Sequence, residues 1–132
     1  MVSSLDGLRD VTLFMPTKSL VFQAAKWSER HPGFALRIVS SQLPGVVFRA
    51  FKGATFSILD ATDQPQQALA LLEGAVERFG RLGIAVYTEI MHEGMELIVR
   101  SAGIPLWLGP MSAREWSAAL ESMARAEVNA RF

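Results

Sequence analysis

Between residues 34 and 60 three runs follow one another: FALRIVS (34–40), GVVFRAFK (45–52) and ATFSILD (54–60). Each is rich in Val, Ile and Phe and is bounded by Gly, Pro or Ser, the composition of a β-strand. Only the stretch around Pro44 and the single Gly53 separate them. Strands that close together pair antiparallel, because a parallel pair needs a crossover of a dozen residues or so. This stretch constrains the fold more than any other, since it points away from a doubly wound sheet and towards an α+β domain.

Further strand runs are VTLFM (11–15), IAVYTEIM (84–91) and MELIVRS (95–101), with IPLWLG (104–109) as a short edge segment. Three helices are predicted. Thr17 is a suitable N-cap for KSLVFQAAKWSER, which HPG stops, and Leu20, Val21, Ala24 and Trp27 form its inner stripe. Asp63 is the expected N-cap of the second helix, with Gln66 closing a capping box, and Ala68, Leu69, Leu72, Ala75, Val76 and Phe79 as its apolar face. Gly80 and Gly83 end it. Ser112 with Glu115 fits a capping box and Met111 with Trp116 a hydrophobic staple at the start of the third. The expected fold is therefore α+β, a mostly antiparallel sheet of about five or six strands with three helices, in the order β-α-β-β-β-α-β-β-α. The 132 residues make one domain, with 1–10 and 127–132 as flexible ends.

YTEIMHEGMELIV (87–99) places His92, Glu93 and Glu96 close together. A hairpin with a two-residue Glu93-Gly94 turn keeps both faces consistent, pairing Ile90 with Leu97 and Thr88 with Val99. His92 then stands at the mouth of a tight turn. A metal or acid/base role would need further ligands, and His31 is the only other histidine. Asp60 and Asp63 flank a strand-to-helix junction, where helix capping explains their spacing better than a metal does. Trp27 and Trp116 fall on core stripes, which leaves Trp107 as the tryptophan available to a ligand.

Thirteen Lys and Arg balance thirteen Asp and Glu, so no global field draws in nucleic acid or an anionic membrane. The absence of cysteine excludes disulfides and thiolate catalysis and suits a reducing cytoplasm. The opening residues lack a basic region ahead of an apolar core, so no secretory signal is expected. The longest charge-free run, SAGIPLWLGPMSA, is too short to span a bilayer. No nucleophile elbow and no phosphate-cradling glycine loop is present, and no cofactor is expected.

Alternation assigns one sheet face to nearly pure hydrocarbon, to lie beneath the helices. The other collects Val39, Val47, Phe51, Leu59, Tyr87, Met91 and Ile98 with Arg37, Arg49, Glu89, Glu96 and Arg100. Aromatics, Met and Arg beside countercharges are the composition of an interface. The predicted binding surface is thus Arg37, Val47, Arg49, Phe51, Tyr87, Glu89, Met91, Glu96, Ile98 and Arg100, and its simplest partner is a second copy of the chain.

From the first helix on, the order α-β-β-β-α-β-β-α resembles that of class I type III secretion chaperones. It is carried by ALALLEGAVERFG through YTEIMHEGMELIVRSAGIPLWLGPMSAREWSAALESM, within residues 17–126. Roadblock-type dimerisation modules share much of the same order. The resemblance implies a dimeric α/β protein that holds another polypeptide on its surface. A non-catalytic, homo-oligomeric protein-binding module (chaperone, adaptor, immunity or assembly component) is the reading that follows. The alternative is a small enzyme or ligand-binding protein with a pocket near Trp107, His92 and Glu96.

Overall fold

The computed structural model describes residues 9–130. Within them strand and helix alternate: β1 Arg9–Phe14, α1 Lys18–Ser28, β2 Phe34–Val39, α2 Pro44–Gly53, β3 Phe56–Asp60, α3 Pro65–Phe79, β4 Ile84–Thr88, α4 Met95–Ser101, β5 Leu106–Leu108 and α5 Ala113–Ala130. The sheet runs β2-β1-β3-β4-β5, and every neighbouring pair is parallel. The chain is a doubly wound α/β protein.

This overturns the expected α+β fold with its antiparallel sheet and three helices. Two runs read as strands are helices. GVVFRAFK falls in α2, which starts with Pro44 in its first turn and buries Val47 and Phe51. MELIVRS is α4, which buries Met95 and Val99. In both, the buried residues are four apart, a spacing that shares a face in a strand and also shares one in a helix. Parity alone could not separate the two periods. The hairpin disappears with them. Gly94 does take a positive φ (79°), and the Met95 amide closes a turn over Glu93 and Gly94 by donating to the His92 carbonyl at 3.2 Å. That turn leads into α4, with Gly94 as its N-cap residue, and not back into a paired strand.

The three predicted helices are present as α1, α3 and α5. Thr17 caps α1, its hydroxyl accepting from the Leu20 amide at 3.2 Å. Ser112 and Glu115 exchange the two bonds of a capping box, at 3.0 and 3.2 Å. Asp63 does not cap α3, which begins at Pro65 after Gln64 with no side-chain cap bond. Of the ends read as flexible, 1–8 and 131–132 lie outside the described residues, while Arg9 and Asp10 open β1 and 127–130 continue α5.

A parallel sheet covered on both sides needs strands that are apolar on both faces, and FSILD and IAVYT are buried throughout. Alternate residues feed two cores. Phe14, Leu59 and Val86 pack with Val47 and Phe51 of α2, Leu72 of α3 and Val99 of α4. Val11, Leu13, Ile58 and Tyr87 pack on the other face with Leu20 and Trp27 of α1 and Trp116 and Leu120 of α5. Phe14 and Phe51 stack at 4.1 Å between ring centres and 9° between planes, a contact worth about 1 kcal/mol beyond its burial.

Candidate functional site

In an open doubly wound sheet, ligands meet the carboxyl ends of the strands at the point where the strand order reverses. Here that point lies between β1 and β3, from which the sheet grows in opposite directions. Met15 follows β1 with φ 52°, a left-handed value rare for a residue with a side chain. β3 ends on Asp60, which is only 2 % exposed. Its Oδ2 accepts from the Thr17 amide at 2.8 Å and its Oδ1 from the Thr62 amide at 2.9 Å. One carboxylate therefore ties the entry of α1 to the loop leaving β3.

The neighbouring loops are tied in the same way. Thr62 Oγ1 accepts from the Glu89 amide at 3.0 Å, and the Thr62 carbonyl bonds His92 Nε2 at 2.9 Å. Because a carbonyl only accepts, Nε2 carries that proton. Thr88, fully buried at the end of β4, donates its hydroxyl to the Ile90 carbonyl at 2.6 Å.

Tyr87 carries the second half of the network. Its ring is buried against α1 and α5, and its hydroxyl donates to Glu89 Oε2 at 2.5 Å. Gln23 of α1 donates from Nε2 to the Tyr87 oxygen at 2.8 Å and accepts at Oε1 from the Met111 amide at 2.8 Å. Burial, then the Glu89 bond, pushes the Tyr87 phenol above its usual range, against a smaller opposite effect of Gln23. Bonds from Ser19 and then Tyr87 hold the Glu89 carboxyl below the usual carboxylate range. The ring lies so close to Gly109, after β5, that a Cβ there would overlap its hydroxyl and the adjoining ring carbons.

Chemically the inner part of this rim is closed. Asp60 and Glu89 already accept from neighbours, while Asp63 and Glu93 stand exposed on the same loops. Among the described residues no group of three or more His, Cys, Asp or Glu could hold a metal ion. Gly109 brings no functional group to the end of β5. From the sequence, Asp60 is only a possible cap or metal ligand. Gln23, Thr62 and Gly109 carry no local signal, because their partners lie on other strands and helices. Thr88, which bonds Ile90 two residues on, is masked by the hairpin expected there.

The ten residues predicted to share a sheet face do not share one. Val47, Phe51 and Tyr87 are buried in the chain's own cores. Arg37 is exposed on β2, where it pairs with Asp10 at 3.4 Å, and Arg49 is exposed on α2. Glu89 belongs to the closed rim. Met91, Glu96, Ile98 and Arg100 do fall together, on α4 and the loop before it, with Glu96 and Arg100 paired at 2.9 Å. Of the alternative pocket, His92 and Glu96 border one shallow depression with Met91 and Leu97, whereas Trp107 is buried against Trp116 at 5.7 Å between ring centres.

With that geometry in place, the solved structures the chain resembles identify the class of fold, the flavodoxin-like α/β fold that the receiver domains of response regulators also adopt. A CheY-like response regulator receiver domain protein from Methanospirillum hungatei superposes with a TM-score of 0.72 at 14% identity, over 93% of this chain and 99% of its own. A pilus assembly-related protein from Burkholderia pseudomallei gives 0.71 at 14%, over 95% and 96%. The chemotaxis protein CheY4 of Vibrio cholerae gives 0.68 at 11%, over 89% and 99%. No family model matches the sequence, and no curated protein matches it. The likeness is one of fold, and it replaces the resemblance to type III secretion chaperones. That resemblance rested on an element order counting α2 and α4 as strands, so the chaperone-like and α+β descriptions fall with it. No helix among the described residues is long and apolar enough to cross a membrane.

Proposed function

We propose that the chain is a non-catalytic, receiver-like adaptor that works in the cytoplasm by protein contact, pairing with a second copy of itself through α4 and the loop before it. The observation that carries this reading is a group of large apolar side chains left in solvent there. Ile90, Met91, Leu97 and Ile98 are 54 %, 47 %, 74 % and 53 % exposed, and Leu108 on the edge strand β5 is 56 % exposed. Single exposed apolar residues are ordinary, but several on one short helix and its approach loop are the usual mark of an interaction surface. Glu96 and Arg100 on the same helix supply a charge of each sign, which a two-fold axis can bring against its opposite in the partner.

The closed rim supports the non-catalytic half of the proposal, because its polar groups hold loops rather than face a substrate. Solved neighbours named for chemotaxis and for pilus assembly fit an adaptor role. Sedimentation equilibrium of the full chain against Leu97→Glu and Ile98→Glu tests it. The expected result is a dimer at micromolar concentration that either substitution converts to a folded monomer. A strict monomer, or a dimer indifferent to both changes, would overturn the pairing.

A further inference from the structure

The opposite rim, where the strands begin, holds a cavity of about 430 Å³ between the end of α1 and the middle of α5. Its lining is aromatic. Trp27 meets Phe34 edge-on at 5.0 Å between ring centres, and Phe34 lies 6.4 Å from Phe56. Leu120 and Ala124 add aliphatic surface from α5. His31 stacks on Trp27 at 4.2 Å and is pinned by a bond from Nδ1 to the Trp27 carbonyl at 2.8 Å, which fixes one edge of the cleft.

Two guanidinium groups, Arg9 and Arg125, border the same cavity. Arg9 lies over the Phe56 ring at 5.7 Å. The ion pairs among the described residues are Arg37 with Asp10 and Arg100 with Glu96, so among them neither cavity arginine is in an ion pair. Glu121 also lines the cleft, one negative charge against two positive. An unpaired arginine on open surface is simply solvated. Beside an apolar cavity, the same group can pair with an incoming carboxylate in two parallel, partly desolvated bonds.

The geometry points to a binding site for a small aryl carboxylate, its flat body against Trp27, Phe34 and Phe56 and its carboxylate on Arg9 and Arg125. The volume lies within the range of about 300–1,000 Å³ typical of small-molecule sites. A neutral hydrophobe would use the aromatic lining and leave the arginines unpaired, and a bare phosphate would do the reverse. An aryl acid satisfies both halves. The site stands apart from the α4 surface and does not depend on the pairing proposed there.

The full chain is titrated with naphthalene-1-acetate and with its neutral amide, followed by calorimetry and by NMR shifts. The acid is expected to bind about tenfold more tightly than the amide, as befits a charged bond made in place of a neutral one. Arg125→Gln, at an exposed position, should weaken the acid by about tenfold and leave the amide unchanged. Ala124→Trp should block both by filling the cleft. Equal binding of acid and amide, no binding of either at millimolar concentration, or shifts confined to residues away from the cavity would overturn the assignment.

Discussion

Where the strands end, Asp60 accepts from two amides and Tyr87, Glu89 and Gln23 bond one another; where they begin, Arg9 and Arg125 border an aromatic cleft and form no ion pair among the described residues. Both rims hold charged groups beside apolar ones, yet the first has paired them internally and the second has not. A charge already committed to backbone amides contributes to stability and is poorly placed to meet a ligand, since binding would first have to break those bonds. An uncommitted charge contributes little to stability and keeps its hydrogen-bonding capacity for a partner. In a doubly wound sheet the rim at the strand ends is the usual ligand site, and here that rim has become the fastened one. Substitutions at the strand-end rim should therefore cost stability, whereas Arg125→Gln at the other should leave the melting temperature unchanged.

The largest effect is expected at Gly109. A Cβ there would overlap the Tyr87 hydroxyl and the ring carbons beside it, and the ring is held by the α1 and α5 core. Gly109→Ala should destabilise by about 3 kcal/mol, in the upper range for overpacking. Denaturant unfolding reads it, and adding Tyr87→Leu, which removes the obstructing ring end, should recover part of the loss. A single variant as stable as the parent would show that the Tyr87 ring can yield, and the contrast between the rims would weaken.

Asp60→Ala follows. It orphans the Thr17 and Thr62 amides at the entry of α1 and the exit of β3, and should cost about 2 kcal/mol. Asp60→Asn keeps one accepting oxygen and should fall between alanine and the parent. If asparagine and alanine are equally harmful, charge rather than the pair of bonds is what Asp60 contributes.

What was legible in the sequence follows the range of each interaction. The caps of α1 and α5 are contacts three residues apart, and Thr17, Ser112 and Glu115 could be read directly. The strands FSILD and IAVYT were also found, because continuous apolar runs survive any topology. The failure lay at α2 and α4, each short and each burying one pair four apart, Val47 with Phe51 and Met95 with Val99. Pro44 in the first turn of α2 was the available signal, since proline suits the start of a helix and breaks a central strand. Once those two helices were taken as strands, crossovers vanished and a parallel sheet could not be drawn. The site was less legible still. Asp60 lies 43 residues from Thr17, and Gln23 lies 64 from Tyr87 and 88 from Met111, so only the finished topology brings them together.

The smallest effect expected is also the sharpest probe of the closed rim, because Tyr87 is the only tyrosine in the chain. Tyr87→Phe leaves Glu89 and Gln23 able to bond each other and solvent, so it should cost about 1 kcal/mol. The pH dependence has two limbs of opposite sign. Glu89 is held below its usual range by Ser19 and then Tyr87, so its contribution is complete above the unfolded carboxyl value of about 4.3 and is lost as pH falls through the folded one. Tyr87 is raised, mainly by burial, so the folded state loses ground as pH climbs past about 10, where the unfolded phenol ionises and the buried one does not. Phenolate absorbance should then show no ionisation in the folded chain near that pH, followed by ionisation that coincides with unfolding. Glu89→Gln should flatten the acid limb and weaken the alkaline limb without abolishing it, because burial remains the larger cause of the raised phenol. A phenol that titrates at its ordinary value while the chain stays folded would mean that the rim is open to water, and the two ends of the sheet would no longer differ in kind.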